Sequence, residues 1–298
     1  MSQKIITVSQ DGRGDFTTIQ SALDWAQKVK SVRVLLIKQG IYNENIRIYR
    51  DHLKLLGDGE VVISGSLSAN QYLENQIVRG TFQTATVFIN AKQVQLERLT
   101  IRNTAGEGVK VGQAVALYVE GTQMKIRDCR LEGYQDTLCL GPLPKTQKNG
   151  DELISPWVKR TFKQQKVYVY RTWIQGTIDF IFGGGSTVYE SCQIHSLKRA
   201  NENYLTAAST DEYNTGFKFN HCQITGESVY YLGRPWRSGA QTSFNHCHFD
   251  QYLHADGWHD WDKIESHQRS QYVETHCSYQ VKPNRMWTKM DGGMIYEA

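Results

Sequence analysis

The chain has 298 residues, 40% of them hydrophobic and 21% charged, with a formal net charge of +4. That is enough apolar material for a sizeable core, and the mild positive excess suits an anionic partner without demanding one. No Lys/Arg run is dense enough for a nucleic-acid surface, no apolar stretch is long enough to span a membrane, and no Ser/Gly-rich linker divides the sequence. One domain is therefore expected over residues 1–298, with neither nucleic acid nor membrane as partner.

The first eight residues read as a strand and lack the charged, apolar and cleavage regions of a secretory leader. A cytoplasmic location is expected; the alternative is a secreted protein whose leader is absent from this sequence. Residues 18–28 then form the one convincing helix, with Ile19, Ala22, Leu23 and Ala26 on one face.

Beyond the helix a pattern recurs at residues 96–101, 126–131, 169–174, 188–194, 219–224 and 244–249. Most copies read apolar, two or three polar, small or apolar, polar, apolar. The copy at 169–174 is off by one residue. The steps between Leu99, Cys129, Trp173, Cys192, Cys222 and Cys247 are 30, 44, 19, 30 and 25 residues, and the 44 reads as two coils. Strand, tight turn, strand, repeated at this period, is the unit of a parallel β-helix, whose coils bury their apolar faces only by stacking. The helix at 18–28 would cap its open end. The alternative is an irregular β-sandwich with a coincidental repeat.

Six cysteines, Cys129, Cys139, Cys192, Cys222, Cys247 and Cys277, form no Cys-x-x-Cys pair, so no metal site is expected from them. Four of them recur in the repeat, which favours core positions over disulfides, and six free thiols are expected. The late cluster of histidines reads as solvated loop rather than metal ligands. The basic stretch from Lys145 to Lys166 could meet carboxylates or simply be solvated. Gly183 to Gly185 lacks the Lys-Ser/Thr of a phosphate loop and reads as a tight turn.

Two segments carry chemistry. Residues 133–138 (Gly-Tyr-Gln-Asp-Thr-Leu) and 176–183 (Gly-Thr-Ile-Asp-Phe-Ile-Phe-Gly) each set one aspartate in an otherwise uncharged strand-like run. Asp136 and Asp179 are 43 residues apart, which also reads as two coils. Paired carboxylates of unequal environment suit acid/base and nucleophilic catalysis. A lone aspartate in such a run is otherwise a turn or cap residue. Strand alternation points Phe180 to the face opposite Asp179 and hence to the core.

These segments and three others stand in the order found in the pectin methylesterase (pectinesterase) family, which the chain resembles over nearly its whole length. The others are Gly-Ile-Tyr-Asn-Glu at 40–44, Asn-Thr-Ala-Gly at 103–106 followed by Gln-Ala-Val-Ala-Leu at 113–117, and Leu-Gly-Arg-Pro-Trp-Arg at 232–237. Residues 8–19 are similar to the family's first strand and cap helix. Residues 140–166 are longer and more polar than in the shorter plant enzymes and resemble the bacterial branch. Past Asp256 the resemblance thins, and the ending 291–298 matches no motif.

The resemblance implies an all-β, right-handed parallel β-helix with a short N-terminal capping helix, expected as a monomer. It implies hydrolysis of methyl esters at the C6 carboxyl of galacturonate in pectin or methylated oligogalacturonates, releasing methanol, with no cofactor and no metal. Carried over residue by residue, Asp179 is the nucleophile, Arg234 its holder, and Asp136 the acid/base. Gln113 and Gln135 are oxyanion donors, with an internal polar ladder as the alternative. Trp236 and Trp258 match substrate-binding tryptophans, with core packing as the alternative for Trp258. Rivals are a lyase or glycosidase on the same fold, a hydrolase of another acyl group, and a binding protein with a dead site.

Overall fold

The structure, a computed structural model, describes residues 4–147, 149–291 and the backbone of 295 and 296. Most of the unmatched ending thus lies outside the described residues. The strands pair in parallel in stacked sheets, as a β-helix requires. Three ladders run along its axis. The first contains Met124–Arg127, Lys166–Tyr170, Ser186–Glu190, Phe217–Asn220 and Gln241–Asn245. The second contains Thr100–Asn103, Arg130–Glu132, Trp173–Gly176, Gln193–Ser196 and Gln223–Gly226. The third runs from Ile46–Ile48 through Val87–Ile89, Leu117–Val119, Leu138–Leu140, Ile178–Gly183 and Asn203–Ala208 to Tyr230–Gly233.

The repeat in the sequence is the corner between the first two ladders. There the chain turns on one left-handed residue: Arg98, Asp128, Arg171, Ser191, His221, His246 and His276, with φ between 45° and 54°. The next residue points inward. It is Leu99, Cys129, Thr172, Cys192, Cys222, Cys247 or Cys277, and every one of these is buried. A small side chain fits because the corner brings backbone from the preceding coil close. The Cys222 thiol donates to the Tyr189 carbonyl at 3.6 Å and that of Cys247 to Phe219 at 3.5 Å. All six cysteines are free and buried. The rings of Tyr189, Phe219 and Phe244 stack beside them at 4.2 and 4.6 Å.

Two expectations are corrected here. The copy at 169–174 is in phase, because Thr172 and not Trp173 takes the cysteine position; its hydroxyl receives the Cys129 N–H at 3.4 Å. The long step is also one coil, not two. Leu138 pairs directly with Ile181, Arg130 with Trp173 and Val167 with Met124. All three span 43 residues because they enclose the same excursion, which leaves the helix after Leu140 and rejoins it at Lys166.

The helix Ile19–Lys28 closes the first coil, burying Ile19, Ala22, Leu23 and Ala26 as the periodicity predicts. Thr18 is its N-cap and accepts the Ser21 N–H at 3.3 Å. Glu44 accepts the N–H groups of Ile19 and Gln20 at 2.8 and 2.9 Å. The glutamate of the 40–44 motif therefore ties the cap to the first coil, placing negative charge at the positive end of the helix. Glu44→Ala should leave both donors without this partner and cost about 1–2 kcal/mol of stability, read from the midpoint of urea unfolding at constant slope.

Candidate active site

Asp136 and Asp179 come together on the outer face of the third ladder. Asp136 lies two residues before the strand Leu138–Leu140, and its N–H donates to the Ile178 carbonyl at 3.0 Å. Asp179 sits where the ladder register shifts between Ile178 and Ile181. Both aspartates are left-handed, with φ of 67° and 49°. Asp and Asn tolerate this region better than most residues. The irregular backbone turns both carboxylates outward, while Phe180 is sealed in the core. Each aspartate is nonetheless only 8% exposed.

Their surroundings differ. Arg234 follows the last strand of the ladder, with its N–H on the Thr206 carbonyl at 2.9 Å. Its guanidinium forks onto Asp179, Nε to Oδ1 at 2.8 Å and Nη2 to Oδ2 at 2.7 Å. The same guanidinium lies over the rings of Tyr204 and Trp261, at 4.0 and 3.8 Å from the ring centres. Aromatic faces favour a guanidinium and fix its plane. Asp136 has no such fork. Burial, then the charge of Asp179, push its carboxyl well above the ordinary carboxylate range, and Arg234 only partly offsets this. One carboxylate is thus forked by a fixed cation while burial and that carboxylate's charge favour the protonated form of its neighbour, an arrangement able to attack and to donate.

Gln113 and Gln135 lie on neighbouring coils, since the Ala114 N–H donates to the Gln135 carbonyl at 3.2 Å. Both side chains are half-buried. Among the described residues neither amide is hydrogen-bonded to another protein group, so they do not form the internal ladder considered from the sequence. The turn at Gly108 presses on Gln135; a β-carbon there would fall 2.2 Å from its Oε1.

The tryptophans separate. Trp236 is half-buried, 5.8 Å from the Phe182 ring, and its N–H is on the Ala208 carbonyl at 3.0 Å. Trp258, expected at the groove, is only 2% exposed. It stacks on Tyr272 at 4.0 Å and donates Nε1–H to Glu274 at 2.8 Å. Glu274 is itself forked by Arg285, so the indole N–H is satisfied inside the core. That corrects the sequence reading. Trp261, three residues on, reaches Arg234 instead. The signal was there, because the same segment holds both tryptophans, but the chain turns left-handed at Gly257, Trp261 and Asp262, and such changes of direction are not readable from spacing.

The excursion forms the flank of this face. Trp157 covers Phe88 at 5.6 Å, in a cluster with Tyr118, Cys139 and Phe182 that continues to Trp236. The Tyr49 hydroxyl donates to the Trp157 carbonyl at 3.0 Å, and Arg160 forks onto Asp51. Beneath lies Glu120, buried, with the Tyr118 hydroxyl on its carboxylate at 3.0 Å and the Gln165 amide on the other oxygen. No cation faces it. Burial pushes its carboxyl up from 4.5 to about 7, against the pull of Gln165 and Tyr118.

A carboxyl whose folded pKa is raised favours folding only while protonated. Stability is therefore lost as pH climbs from the unfolded value near 4.5 through about 7. Glu120→Gln should match the native protein at pH 4 and exceed it by up to about 3 kcal/mol at pH 8, measured by denaturant unfolding at both values. Equal stability of the two proteins at pH 8 would contradict a buried, unpaired carboxyl.

Comparison with known proteins accounts for this arrangement. The Pectinesterase family pattern matches residues 5–142 and 160–282, leaving out only the middle of the excursion and the ends. The match runs well past Asp256, further than the motifs could be followed. Pectinesterase QRT1 of Arabidopsis thaliana is 30% identical over 285 residues, covering 92% of this chain and 69% of its own. Pectin methylesterase from carrot superposes with a TM-score of 0.80 at 25% identity, over 96% of this chain and 88% of that one. A pectin methylesterase solved in complex with a hexasaccharide superposes at 0.76 and 26% identity, over 98% and 93%. Motif order, coil architecture and paired aspartates agree with these matches, and the chain belongs to the pectinesterase family of carboxylic ester hydrolases, built on the right-handed parallel β-helix.

Proposed function

We propose that this protein hydrolyses methyl esters at the C6 carboxyl of galacturonate, in pectin or in methylated oligogalacturonates, with Asp179 as nucleophile and Asp136 as general acid and base. The observation that carries this reading is the unequal treatment of the two carboxylates. Arg234 forks onto Asp179, and Asp136 is buried beside it with its proton favoured.

An oxygen of ionised Asp179 attacks the ester carbonyl carbon, and the carbonyl electron pair moves to its oxygen. Arg234 occupies the in-plane edge of the carboxylate and sets the direction of the remaining lone pairs. The oxyanion is stabilised by the amide N–H groups of Gln113 and Gln135, which donate to no other group among the described residues. Collapse expels the methoxy group, which takes the proton of Asp136 and leaves as methanol. Asp136, now ionised, removes a proton from water as the water attacks the mixed anhydride. Free Asp179 is released together with the galacturonic acid carboxyl, which loses its proton to solvent, and Asp136 ends protonated. The substrate class is supported by the hexasaccharide bound to the related pectin methylesterase. Trp236, half-buried at the edge of the face, offers a ring for a sugar to stack on.

Incubation with highly methylated pectin should release methanol and lower the pH; unsaturated or reducing ends without methanol would instead indicate a lyase or glycosidase. Asp179→Asn should lose about 10³-fold or more of the methanol-release rate, and Asp136→Asn at least about 10²-fold. Near-native turnover in either variant removes that residue from the mechanism. Because Asp136 must begin protonated, kcat/KM should fall as pH rises through its raised pKa, so activity should persist well above the pH at which ordinary carboxyls ionise.

A further inference from the structure

A second cavity, of about 540 Å³, lies between the capping helix, the first strand of the third ladder and the far end of the excursion. Three cations line it: Arg47, Arg50 and Lys159. Among the described residues none of the three is paired with a carboxylate. Asp24, which also lines the cavity, instead accepts the Gln20 amide at 2.8 Å, and Asp51 beside Arg50 is taken by Arg160. Arg50 is only 7% exposed, and its Nε–H has no hydrogen-bond partner, although Nη2 donates to the Lys30 carbonyl at 2.9 Å. A buried guanidinium with an idle donor carries a desolvation cost that an anion would relieve.

The other two cations are held in place. Lys159 Nζ lies 3.8 Å from the Tyr49 ring centre, and the Arg47 guanidinium 4.3 Å from that of Trp157. Lys159 closes the stretch 143–159 that the family pattern leaves out, so this wall of the cavity is built from sequence the family pattern does not describe. Arg47 also heads the outward row that runs through Phe88, Tyr118 and Cys139 to Phe182, on the strand that carries Asp179. Four strand spacings of ~4.8 Å separate the two ends, roughly 19 Å.

We infer that this cavity is an anchoring site for free uronate carboxylates, so that a de-esterified stretch of a galacturonate chain is held there while a methylated stretch lies at Asp179. The identity of the ligand rests on the esterase reading; the anion site itself does not. Guanidinium groups match carboxylates in two-point geometry, and a lysine adds a point charge beside them. The separation selects for chains of several residues over short oligomers, and the reaction's own product supplies the ligand.

The test uses the full chain, native and as Arg47→Glu/Lys159→Glu, with Arg50→Gln as an independent second variant checked for native thermal unfolding. Fully de-esterified oligogalacturonate long enough to span both sites is titrated calorimetrically at two salt concentrations. The double variant should bind about tenfold more weakly, with a shallower salt dependence. In turnover, its KM for long, partly de-esterified pectin should rise about tenfold more than its KM for a methylated trimer. Unchanged affinity in both variants overturns the proposal, as does inorganic phosphate binding the cavity as tightly as the uronate chain. Should no substrate yield methanol, the esterase reading fails, and the titration still decides whether the cavity holds uronate.

Discussion

Every coil of this β-helix must bring the chain back into hydrogen-bonding register one strand spacing further along the axis. The corner between the first two ladders does this with a single left-handed residue, repeated from Arg98 to His276. Such a conformation costs a non-glycine residue roughly 1 kcal/mol or more. It persists because neighbouring coils bond on both sides of it; the His246 N–H, for example, donates to the Thr275 carbonyl at 2.9 Å. The residue that follows is forced inward, and at all but the Leu99 corner it is a small cysteine or threonine. The same backbone device serves the site. Asp136 and Asp179 are also left-handed, and their neighbouring coils lock them in place. A conformation that elsewhere closes the coil here aims a carboxylate away from the ladder's regular alternation.

Placing two acids together is not sufficient; they must be made unlike. Both aspartates are equally buried, so burial alone would treat them alike. Arg234 breaks the symmetry because its backbone is fixed on Thr206 and its side chain between Tyr204 and Trp261, which leaves one carboxylate within reach of its fork. The charge it stabilises on Asp179 then becomes a reason for Asp136 to keep its proton. Burial raises the Asp136 carboxyl first and the Asp179 charge second, and the direct pull of Arg234 offsets only part of this, so the fork on one carboxylate separates the two.

Much of this was legible in the sequence, for definable reasons. The corner repeat survives because sterics at the turn restrict residue choice. The cap helix follows from its 3.6-residue periodicity, and Phe180 was assigned to the core by alternation alone. What failed was anything set by chain length or by a change of direction. The 43 residues between the aspartates looked like two coils, because a loop excursion and a coil contribute alike to a residue count. Only the pairing of Leu138 with Ile181 tells them apart. Trp258 was placed at the groove and Trp261 was not singled out, because the left-handed turns at Gly257, Trp261 and Asp262 leave no local mark in the sequence. Glu120 was missed altogether, since nothing local marks a glutamate that neighbouring coils will bury.

The excursion itself shows why a β-helix tolerates such additions. Closing a longer loop adds little entropy cost, since that cost grows only with the logarithm of length, and the coils on either side already hold the register. The added segment must still bury something, and Trp157 does so by covering the row of Phe88 and Tyr118 on the outer face of the third ladder. That choice has electrostatic consequences. The cover excludes water from Glu120, leaving a carboxyl whose proton is favoured. Its far edge brings Lys159 beside Arg47 and Arg50, three cations against the single lining carboxylate of Asp24, with which none of them forms an ion pair among the described residues. A segment retained only as packing would be expected to neutralise such charges with nearby acids, as Asp51 does for Arg160. Leaving these three unneutralised beside a face that generates carboxylates fits a surface that holds its own product.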